Sequence, residues 1–322
     1  MKKMDVVALG ELLIDFTENG VSGQGNPLFE ANPGGAPCNV LAMLKKLDKS
    51  CAFIGKVGKD MFGAQLKKTV EDAGIDTEYL IMDPEAHTTL AFVKTYPGGD
   101  RDFSFYRDPG ADMLLTEEEV SEEALKEVRI FHFGTLSMTH EGVRKATKKA
   151  VRLAKESGAL ISFDPNLRIP LWKDLNDAKE QISWGLSQCD ILKIADNEIE
   201  FMTGETDFDK GAAILQAKYP NIQVLNVTAG ADGSYSYYGS DEKVFVPSFK
   251  LGGTIETTGA GDTFCACVLN YVLENGIKDL SAKQRKEMLS FANAAAYLVT
   301  TKKGAICSMP ERAQVEAILE GR

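Results

Sequence analysis

The chain has 322 residues, 44% of them hydrophobic and 26% charged, with a formal net charge of −11 and a pI of about 5.0. This composition predicts a well-buried core and argues against nucleic-acid and anionic-membrane binders, which need clustered Lys and Arg. No run reaches the roughly 20 apolar residues that span a bilayer, the start lacks a signal peptide, and the six cysteines show no CxxC spacing, so we expect a reduced, cytoplasmic protein.

Short apolar or β-branched runs alternate with amphipathic stretches along most of the chain. The runs that predict strands are residues 6–9, 52–57, 130–134, 160–163, 191–194 and 224–227; those that predict helices are 39–47, 62–73, 143–153, 263–273 and 289–299. This alternation predicts an α/β fold whose parallel sheet is covered by helices on both faces, with ligands at the carboxyl ends of the strands. Without repeats or linker-like segments, we expect one domain over residues 1–322.

Two stretches break the alternation and predict antiparallel strands. Residues 12–16 and 27–31 form one pair, and residues 88–96 and 101–107, around a Pro-Gly-Gly-Asp turn at 97–100, form the other. The resulting small sheet, within about 12–32 and 88–108, either covers the ligand crevice as a lid or decorates an edge of the main sheet.

Residues 251–264 place a carboxylate directly behind a turn of small residues. Gly259, Ala260 and Gly261 let backbone N–H groups approach an anion closely, and the helix that follows favours negative charge at its start. Asp262 then lies within reach of that anion. The alternative is an ordinary helix cap, in which Asp accepts a backbone N–H.

A second glycine-containing turn, Gly34-Gly35, precedes Asn39 near the start of a predicted helix. It is either a structural turn with an N-cap or a close approach of the backbone to a small polar ligand. The Asn39 amide can both donate and accept hydrogen bonds to such a ligand.

The order of four motifs resembles the ribokinase/PfkB sugar kinase family: Gly34-Gly35-Ala36-Pro37-Cys38-Asn39, Phe105-Tyr106-Arg107-Asp108-Pro109-Gly110-Ala111-Asp112, Asp164-Pro165-Asn166-Leu167-Arg168 and Thr257-Thr258-Gly259-Ala260-Gly261-Asp262. The stretches 52–58, 131–134 and 164–172 are similar to bacterial and plant fructokinases. The resemblance covers essentially the whole chain. It implies a ribokinase-like three-layer αβα sandwich with a mostly parallel central sheet and a small β-sheet lid.

The resemblance also implies ATP-dependent phosphorylation of a sugar hydroxyl. Asp262 would accept the hydroxyl proton, with the helix start keeping its carboxylate ionised and weakly basic, and the N–H groups of Gly259, Ala260 and Gly261 would bind charge on the transferred phosphoryl group. The implied sugar-binding residues are Asp15, Gly34, Gly35 and Asn39. Arg107 and Arg168 would face the sugar or the phosphate; each is otherwise a surface arginine in an ion pair.

For the nucleotide, the loop with Thr228, Gly230 and Gly233 resembles the segment along ATP, and Asn293 matches a position near adenosine that a core Asn would fill equally well. The family's magnesium-linked Asn-x-x-Glu motif can be aligned in two registers. Counting back from Thr203-Gly204 aligns Glu198, which would act through water, and puts Ala195 where Asn is usual; the other register uses Asn197 and Glu200. Glu256 replaces an Asp of a monovalent-cation site, which leaves K⁺ dependence open.

The sequence thus predicts a sugar kinase that uses ATP and Mg²⁺, most similar to fructokinases, which make fructose 6-phosphate. A 2-keto-3-deoxygluconate kinase, another kinase of the family and a binding regulator without turnover are the alternatives. The expected partners are small molecules, with neither nucleic acid nor membrane. A homodimer through the lid is implied by the resemblance, with Leu90, Phe92, Phe103 and Phe105 as apolar lid residues.

Overall fold

The computed structural model describes residues 3–95, 101–239 and 242–321, and the side chains of 95, 101–103 and 242 are outside this description. The strands are β1 Met4–Leu9, β2 Leu13–Val21, β3 Pro27–Gly34, β4 Cys51–Gly58, β5 Leu80–Asp83, β6 Leu90–Thr95, β7 Arg101–Tyr106, β8 Val128–Phe133, β9 Leu160–Phe163, β10 Ile191–Ala195, β11 Val224–Thr228, β12 Gly233–Tyr238 and β13 Glu242–Pro247. The α-helices are α1 Ala36–Lys46, α2 Met61–Asp72, α3 Glu141–Glu156, α4 Leu175–Gln188, α5 Asp196–Thr203, α6 Phe208–Lys218, α7 Ala260–Asn275, α8 Ala282–Thr300 and α9 Arg312–Glu320.

The central sheet has nine strands in the order β13-β12-β11-β10-β9-β8-β1-β4-β5. The strands from β11 to β5 are parallel to their neighbours, and β12 and β13 extend the sheet with antiparallel pairing. β4 is buried along its whole length, as expected for a parallel strand with helices on both faces. Because parallel strands point the same way, the loops after β1, β9, β10 and β11 meet at one edge of the sheet.

Two apolar cores lie against the two faces of this sheet. One contains side chains of α1, α2, α7, α8 and α9, among them Leu41, Leu66, Phe264, Met288 and Val315. The other contains side chains of α3 to α6, among them Val143, Ile182, Ile199 and Leu215. Helices on both faces of a mostly parallel sheet make the predicted α/β sandwich, which is confirmed. No helix in the described ranges combines the length and apolarity needed to cross a membrane.

The four remaining strands form a separate sheet, which we call the lid sheet, in the order β3-β2-β6-β7. Its outer pairs are antiparallel, whereas β2 and β6 run parallel through Asp15↔Ala91 and Phe16↔Phe92. Among the described residues it forms a sheet of its own and does not extend an edge of the central sheet, in contrast to the edge-decoration alternative. The turn predicted at 97–100 lies outside the described residues.

Candidate active site

A cavity of about 1020 Å³ opens between the lid sheet and the carboxyl ends of the central strands. The lid sheet contributes Leu13, Asp15 and Phe105 to its wall, and the starts of α1 and α7 contribute Asn39 and Asp262. Ligand clefts of α/β proteins form at this edge because the loops after the parallel strands converge there. This cavity brings together most of the residues singled out in the sequence.

Asp262 lies at the third position of α7, a helix whose following residues are almost all buried. The helix is capped by Gly259, which has no side chain, so the capping alternative for Asp262 is wrong. Its carboxylate instead accepts a 2.8 Å hydrogen bond at Oδ2 from Asn39 Nδ2, and it is also hydrogen-bonded by the side chain of Asn166. Two amides from distant parts of the chain therefore orient this carboxylate.

Burial raises the pKa of Asp262 above the ordinary value of an Asp, against the opposing effects of Asn39, Lys193, Arg168 and Asn166. Desolvation disfavours the charged carboxylate, and this effect exceeds that of its hydrogen bonds and nearby cations. The expectation of a weakly basic carboxylate, drawn from the helix start alone, is wrong. Asp262 is a stronger base than an exposed aspartate.

Asp15, Gly35 and Asn39 line one end of the cavity, which we call the sugar end after the ligand that the resemblance implies; Gly34 lies beside Asp15 and is not part of the wall that the described residues form. Asp15 lies over Gly34 so closely that a Cβ on that glycine would collide with Asp15 Oδ2. Gly35 has a φ of 127°, and a Cβ there would collide with the backbone oxygen of Glu11. The close packing of β3 and α1 against the loop after β1 thus depends on these two glycines.

Glu11, which we did not single out from the sequence, also lines the sugar end. Its Oε1 accepts a 2.8 Å hydrogen bond from Ala36 N at the first turn of α1. Burial raises the pKa of this carboxyl to about 7, although Arg107 nearby lowers it. The side chain ties the loop after β1 to the helix that holds Asn39.

Arg107 does not lie in the cavity wall that the described residues form, in contrast to the position expected for it. Its guanidinium is buried and donates to Asp112 Oδ2 from Nε at 2.8 Å, to Thr139 Oγ1 at 2.8 Å and to the Leu136 carbonyl at 2.9 Å. These contacts occupy the guanidinium within the protein. The structure therefore does not place Arg107 against a sugar or phosphate, and its role here is to support the wall beside Glu11.

Arg168 does line the cavity and is half-buried. Its positive charge lowers the pKa of Asp262, which shows that the guanidinium is near that carboxylate. Within the described ranges no carboxylate forms an ion pair with it. The ion-pair alternative is therefore not found, and the guanidinium is available to an anionic ligand.

Lys193 and Asp164 form a buried ion pair beneath α7 that the sequence analysis missed. Lys193 Nζ lies 3.2 Å from Asp164 Oδ1, and the other oxygen of Asp164 has no partner among the described residues. Burial raises the pKa of Asp164 to about 7, opposed by Lys193 and reinforced by Glu198 and Asp262. Asp164 belongs to a motif quoted above, but Lys193 gives no signal because it occupies an apolar strand.

Glu198 is buried at the start of α5, and both carboxylate oxygens are occupied by backbone groups. Oε1 accepts from Leu167 N and Oε2 from Ala195 N, each at 2.8 Å. Ala195 and Asn197 also line the cavity, and Asn197 is exposed whereas Glu198 is not. The carboxylate is thus held at the cavity wall with lone pairs left for water.

The opposite end of the cavity, which we call the nucleotide end after the ligand that the resemblance implies, is lined by small residues together with Phe249 and Tyr297. The small residues are Thr228 at the end of β11, Gly230, Gly233, Gly252 and Ala296. Asn293 also lies here, but its amide donates to the Val246 carbonyl at 2.9 Å and its oxygen accepts from Ser234 Oγ at 2.9 Å. Its side chain therefore joins α8 to β12 and β13.

Glu256, which replaces the family's cation-site Asp in the sequence, forms hydrogen bonds within the protein. Its carboxylate accepts hydrogen bonds from Thr258 Oγ1 and, at 3.2 Å, from Gly304 N. The backbone N–H groups of Ile255 and Glu256 both donate to the Thr300 carbonyl. This side chain thus links the loop before α7 to the segment after α8.

Comparisons with known proteins place the whole chain in one family. The profile described as pfkB family carbohydrate kinase matches residues 3–312. Fructokinase-1 of Zea mays is 42% identical over 317 residues, covering 98% of this chain and 97% of that protein. Fructokinase with bound ATP from Xylella fastidiosa superposes with a TM-score of 0.89 at 29% identity over 99% of each chain.

A fructokinase double mutant from Vibrio cholerae O395, solved in a fructose-, ADP- and potassium-bound form, superposes with a TM-score of 0.87 at 27% identity, covering 99% of both chains. The family profile and the full-length relative cover nearly the whole chain. The chain therefore belongs to the pfkB family of carbohydrate kinases, and it is an ATP-dependent sugar phosphotransferase.

Proposed function

We propose that the protein is a fructokinase that transfers the terminal phosphoryl group of ATP to D-fructose and makes fructose 6-phosphate. The observation that carries this proposal is the position of Asp262, between a sugar end with Asp15 and Asn39 and a nucleotide end with Thr228 and Gly230. The relatives at about 40% identity that bear the name fructokinase support the choice of sugar.

In the proposed reaction, Asp262 accepts the proton of the sugar hydroxyl as that oxygen attacks the terminal phosphorus. Its raised pKa suits this task, because a base works best when its proton affinity approaches the operating pH. The N–H groups at the start of α7, at Gly259, Ala260 and Gly261, would receive the charge on the transferred group. The lid sheet excludes water, so that the sugar rather than water is phosphorylated.

Asp15, Gly34, Gly35 and Asn39 would bind sugar hydroxyls, and Arg168 would add positive charge near the transferred group. Thr228, Gly230 and Gly233 would run along the nucleotide. Asn293 would act on the adenosine end indirectly, by holding α8 against β13.

The residues present fit Mg²⁺ as the metal that accompanies ATP. Mg²⁺ keeps several waters and is bound largely through substrate phosphates, so it needs few protein ligands. Glu198 meets this requirement because its two oxygens are fixed by backbone N–H groups at the cavity wall, where each retains a lone pair for a metal-bound water. When bound, the ion neutralises phosphate charge during transfer.

We propose a monovalent-cation site beside Glu256, with K⁺ as the expected ion. Glu256 keeps the carboxylate of the family's Asp, and the Thr300 carbonyl at the end of α8 accepts from its backbone N–H. The test is the rate of sugar phosphorylation in K⁺ against a large organic cation at equal ionic strength. Equal rates in the two salts contradict the site.

We also propose that two copies associate through the outer face of the lid sheet. On that face the ring of Phe92 stacks on Phe16 and makes edge-on contacts with Phe29 and Tyr106. Phe29 is 44% exposed and Tyr106 is 65% exposed. Phe105 faces the cavity instead, Leu90 packs on the core, and the Phe103 side chain lies outside the described residues. Light scattering should give a dimer for the wild type and a monomer for Tyr106→Lys; a monomeric wild type contradicts the interface.

The compartment we propose is the cytoplasm. All six cysteines are free thiols, five of them buried, which suits a reducing environment.

The experiment that tests the function is an ADP-release assay with Mg²⁺ and ATP over a panel of free sugars. We expect turnover with fructose to exceed that with 2-keto-3-deoxygluconate, ribose and other ketoses. A strong preference for ketodeoxygluconate would replace the fructose assignment within the family. No turnover with any sugar, in protein shown to be folded, would favour a sugar- or nucleotide-binding regulator.

A further inference from the structure

Lys193 lies in the middle of β10, with its ammonium directly below the start of α7. Its side chain is 6% exposed and lines the cavity. A Cβ built on Gly261 would stand 3.0 Å from Lys193 Nζ, so the ammonium reaches the second residue of the helix, next to Asp262. A buried cation and the N–H groups of a helix start thus share one point in the cavity.

The ammonium has donors to spare. In the described ranges its one hydrogen bond goes to Asp164 Oδ1, at the long distance of 3.2 Å. An ammonium carries three N–H groups. Two N–H groups of Lys193 can therefore donate to a group that enters the cavity. A hydrogen bond to such a group is favourable because a buried donor without an acceptor is destabilising.

Lys56, the other buried lysine of the described residues, shows what a purely structural ammonium looks like. It lies on β4 and is as buried as Lys193. Three oxygens surround its Nζ: Leu114 O at 3.0 Å, Glu119 Oε1 at 2.6 Å and Asp83 Oδ2 at 3.4 Å. The two lysines share type, strand position and burial, and they differ in how many of their donors the protein uses.

We propose that Lys193 is a catalytic residue that binds the terminal phosphoryl group of ATP from below the Gly259–Gly261 turn. The inference rests on the sugar kinase function proposed above. As the sugar oxygen forms its bond to the terminal phosphorus, the bond to the bridging oxygen breaks and its electron pair stays on ADP. The hydroxyl proton goes to Asp262, and the two free N–H groups of Lys193 donate to the non-bridging oxygens of the group in transfer.

Asp164 is the positioning residue for this lysine. It is completely buried at the end of β9, and its one bond to Lys193 limits the directions in which the ammonium can point. Burial lowers the pKa of Lys193, but the carboxylates of Asp164, Glu198 and Asp262 together raise it above the ordinary value of a lysine and keep the ammonium charged. An ammonium held this way is ready before the nucleotide arrives.

The test is equilibrium binding of nucleotides by calorimetry, in the absence of sugar, to the wild type, Lys193→Met, Lys193→Arg and Lys56→Met. The probes are the β,γ-imido analogue of ATP and AMP, both with Mg²⁺. We expect Lys193→Met to bind the triphosphate about 10- to 100-fold more weakly with AMP affinity unchanged. Lys193→Arg should recover part of this loss, because the charge and donors remain. Lys56→Met should keep the wild-type ratio of the two affinities.

A parallel loss of triphosphate and AMP affinity in Lys193→Met, or no loss, would overturn the proposal and leave Lys193 as a structural ion-pair partner. If that variant does not fold, Lys193→Arg still decides: it should bind the imido analogue more weakly than the wild type does, with AMP affinity unchanged. Wild-type affinity of Lys193→Arg for the imido analogue would contradict the contact. These measurements use nucleotides without sugar. A wrong assignment of fructose as the substrate can therefore be distinguished from a wrong role for Lys193.

Discussion

The two ends of the cavity are built in different ways. At the sugar end, buried polar side chains are already hydrogen-bonded to one another or to backbone: Asn39 to Asp262, Glu11 to Ala36, and Arg107 to Asp112 behind the wall. At the nucleotide end, the wall includes Gly230, Gly233 and Gly252, which have no side chain to fix. Under the proposed function, fixed side chains would orient the sugar, and the nucleotide would lie partly along the main chain.

The largest expected effect comes from replacing Asp262, which lies where the two ends of the cavity meet. Asp262→Asn keeps the shape and the contact with Asn39 but cannot accept a proton, so kcat should fall by about 10²- to 10⁴-fold. Binding of sugar and nucleotide, measured by calorimetry, should stay near wild type. Near-normal turnover in the variant would remove Asp262 as the base.

The second prediction concerns the buried network behind the sugar end. Arg107→Met leaves Asp112 buried without its cation, which should lower the free energy of unfolding by about 3–5 kcal/mol in urea titrations. An unchanged unfolding free energy together with a raised KM for sugar would instead support a direct contact between Arg107 and the sugar.

The third prediction concerns Glu11 and the way in which the free energy of unfolding depends on pH. Its pKa in the folded protein, about 7, exceeds the ordinary 4.5, so the folded state binds the proton more tightly than the unfolded state. The contribution of Glu11 to the free energy of unfolding is therefore complete below pH 4.5. It falls by roughly 3 kcal/mol as the pH rises through 7. Glu11→Gln keeps an acceptor for Ala36 N without the charge, and its urea unfolding should lack this part of the slope. If the free energy of unfolding changes with pH equally in the variant and the wild type, the raised pKa of Glu11 is contradicted.

The smallest effects compare one glycine from each end. In Gly35→Ala, the new side chain must adopt a positive φ and collides with the Glu11 carbonyl. The free energy of unfolding should fall by about 1–3 kcal/mol, and the KM for sugar should rise. Gly230→Ala has a φ of 50° and nothing within 4 Å, so it should cost only about 1 kcal/mol. Thermal unfolding and KM values check the pair. A larger loss in Gly230→Ala would reverse the comparison between the ends.

Much of this architecture follows from the sequence because strands and helices alternate with clear periods, and because Asp262 follows a turn of small residues. The sequence could not reveal Lys193, since a lysine between Leu192 and Ile194 acquires meaning only when β9 and α7 bring Asp164 and Gly261 beside it. It also misplaced the guanidinium of Arg107, whose partners Thr139 and Leu136 lie some thirty residues away. The proton affinity of Asp262 depends on burial, which no local motif encodes.

β3 ends at Gly34 and α1 begins at Ala36, so a single residue joins the lid sheet to the helix that carries Asn39. The φ of 127° at Gly35, a conformation that other residues rarely adopt, makes this abrupt connection possible. The strand of the lid sheet and the amide that donates to Asp262 are therefore five residues apart in the chain, with no loop between them.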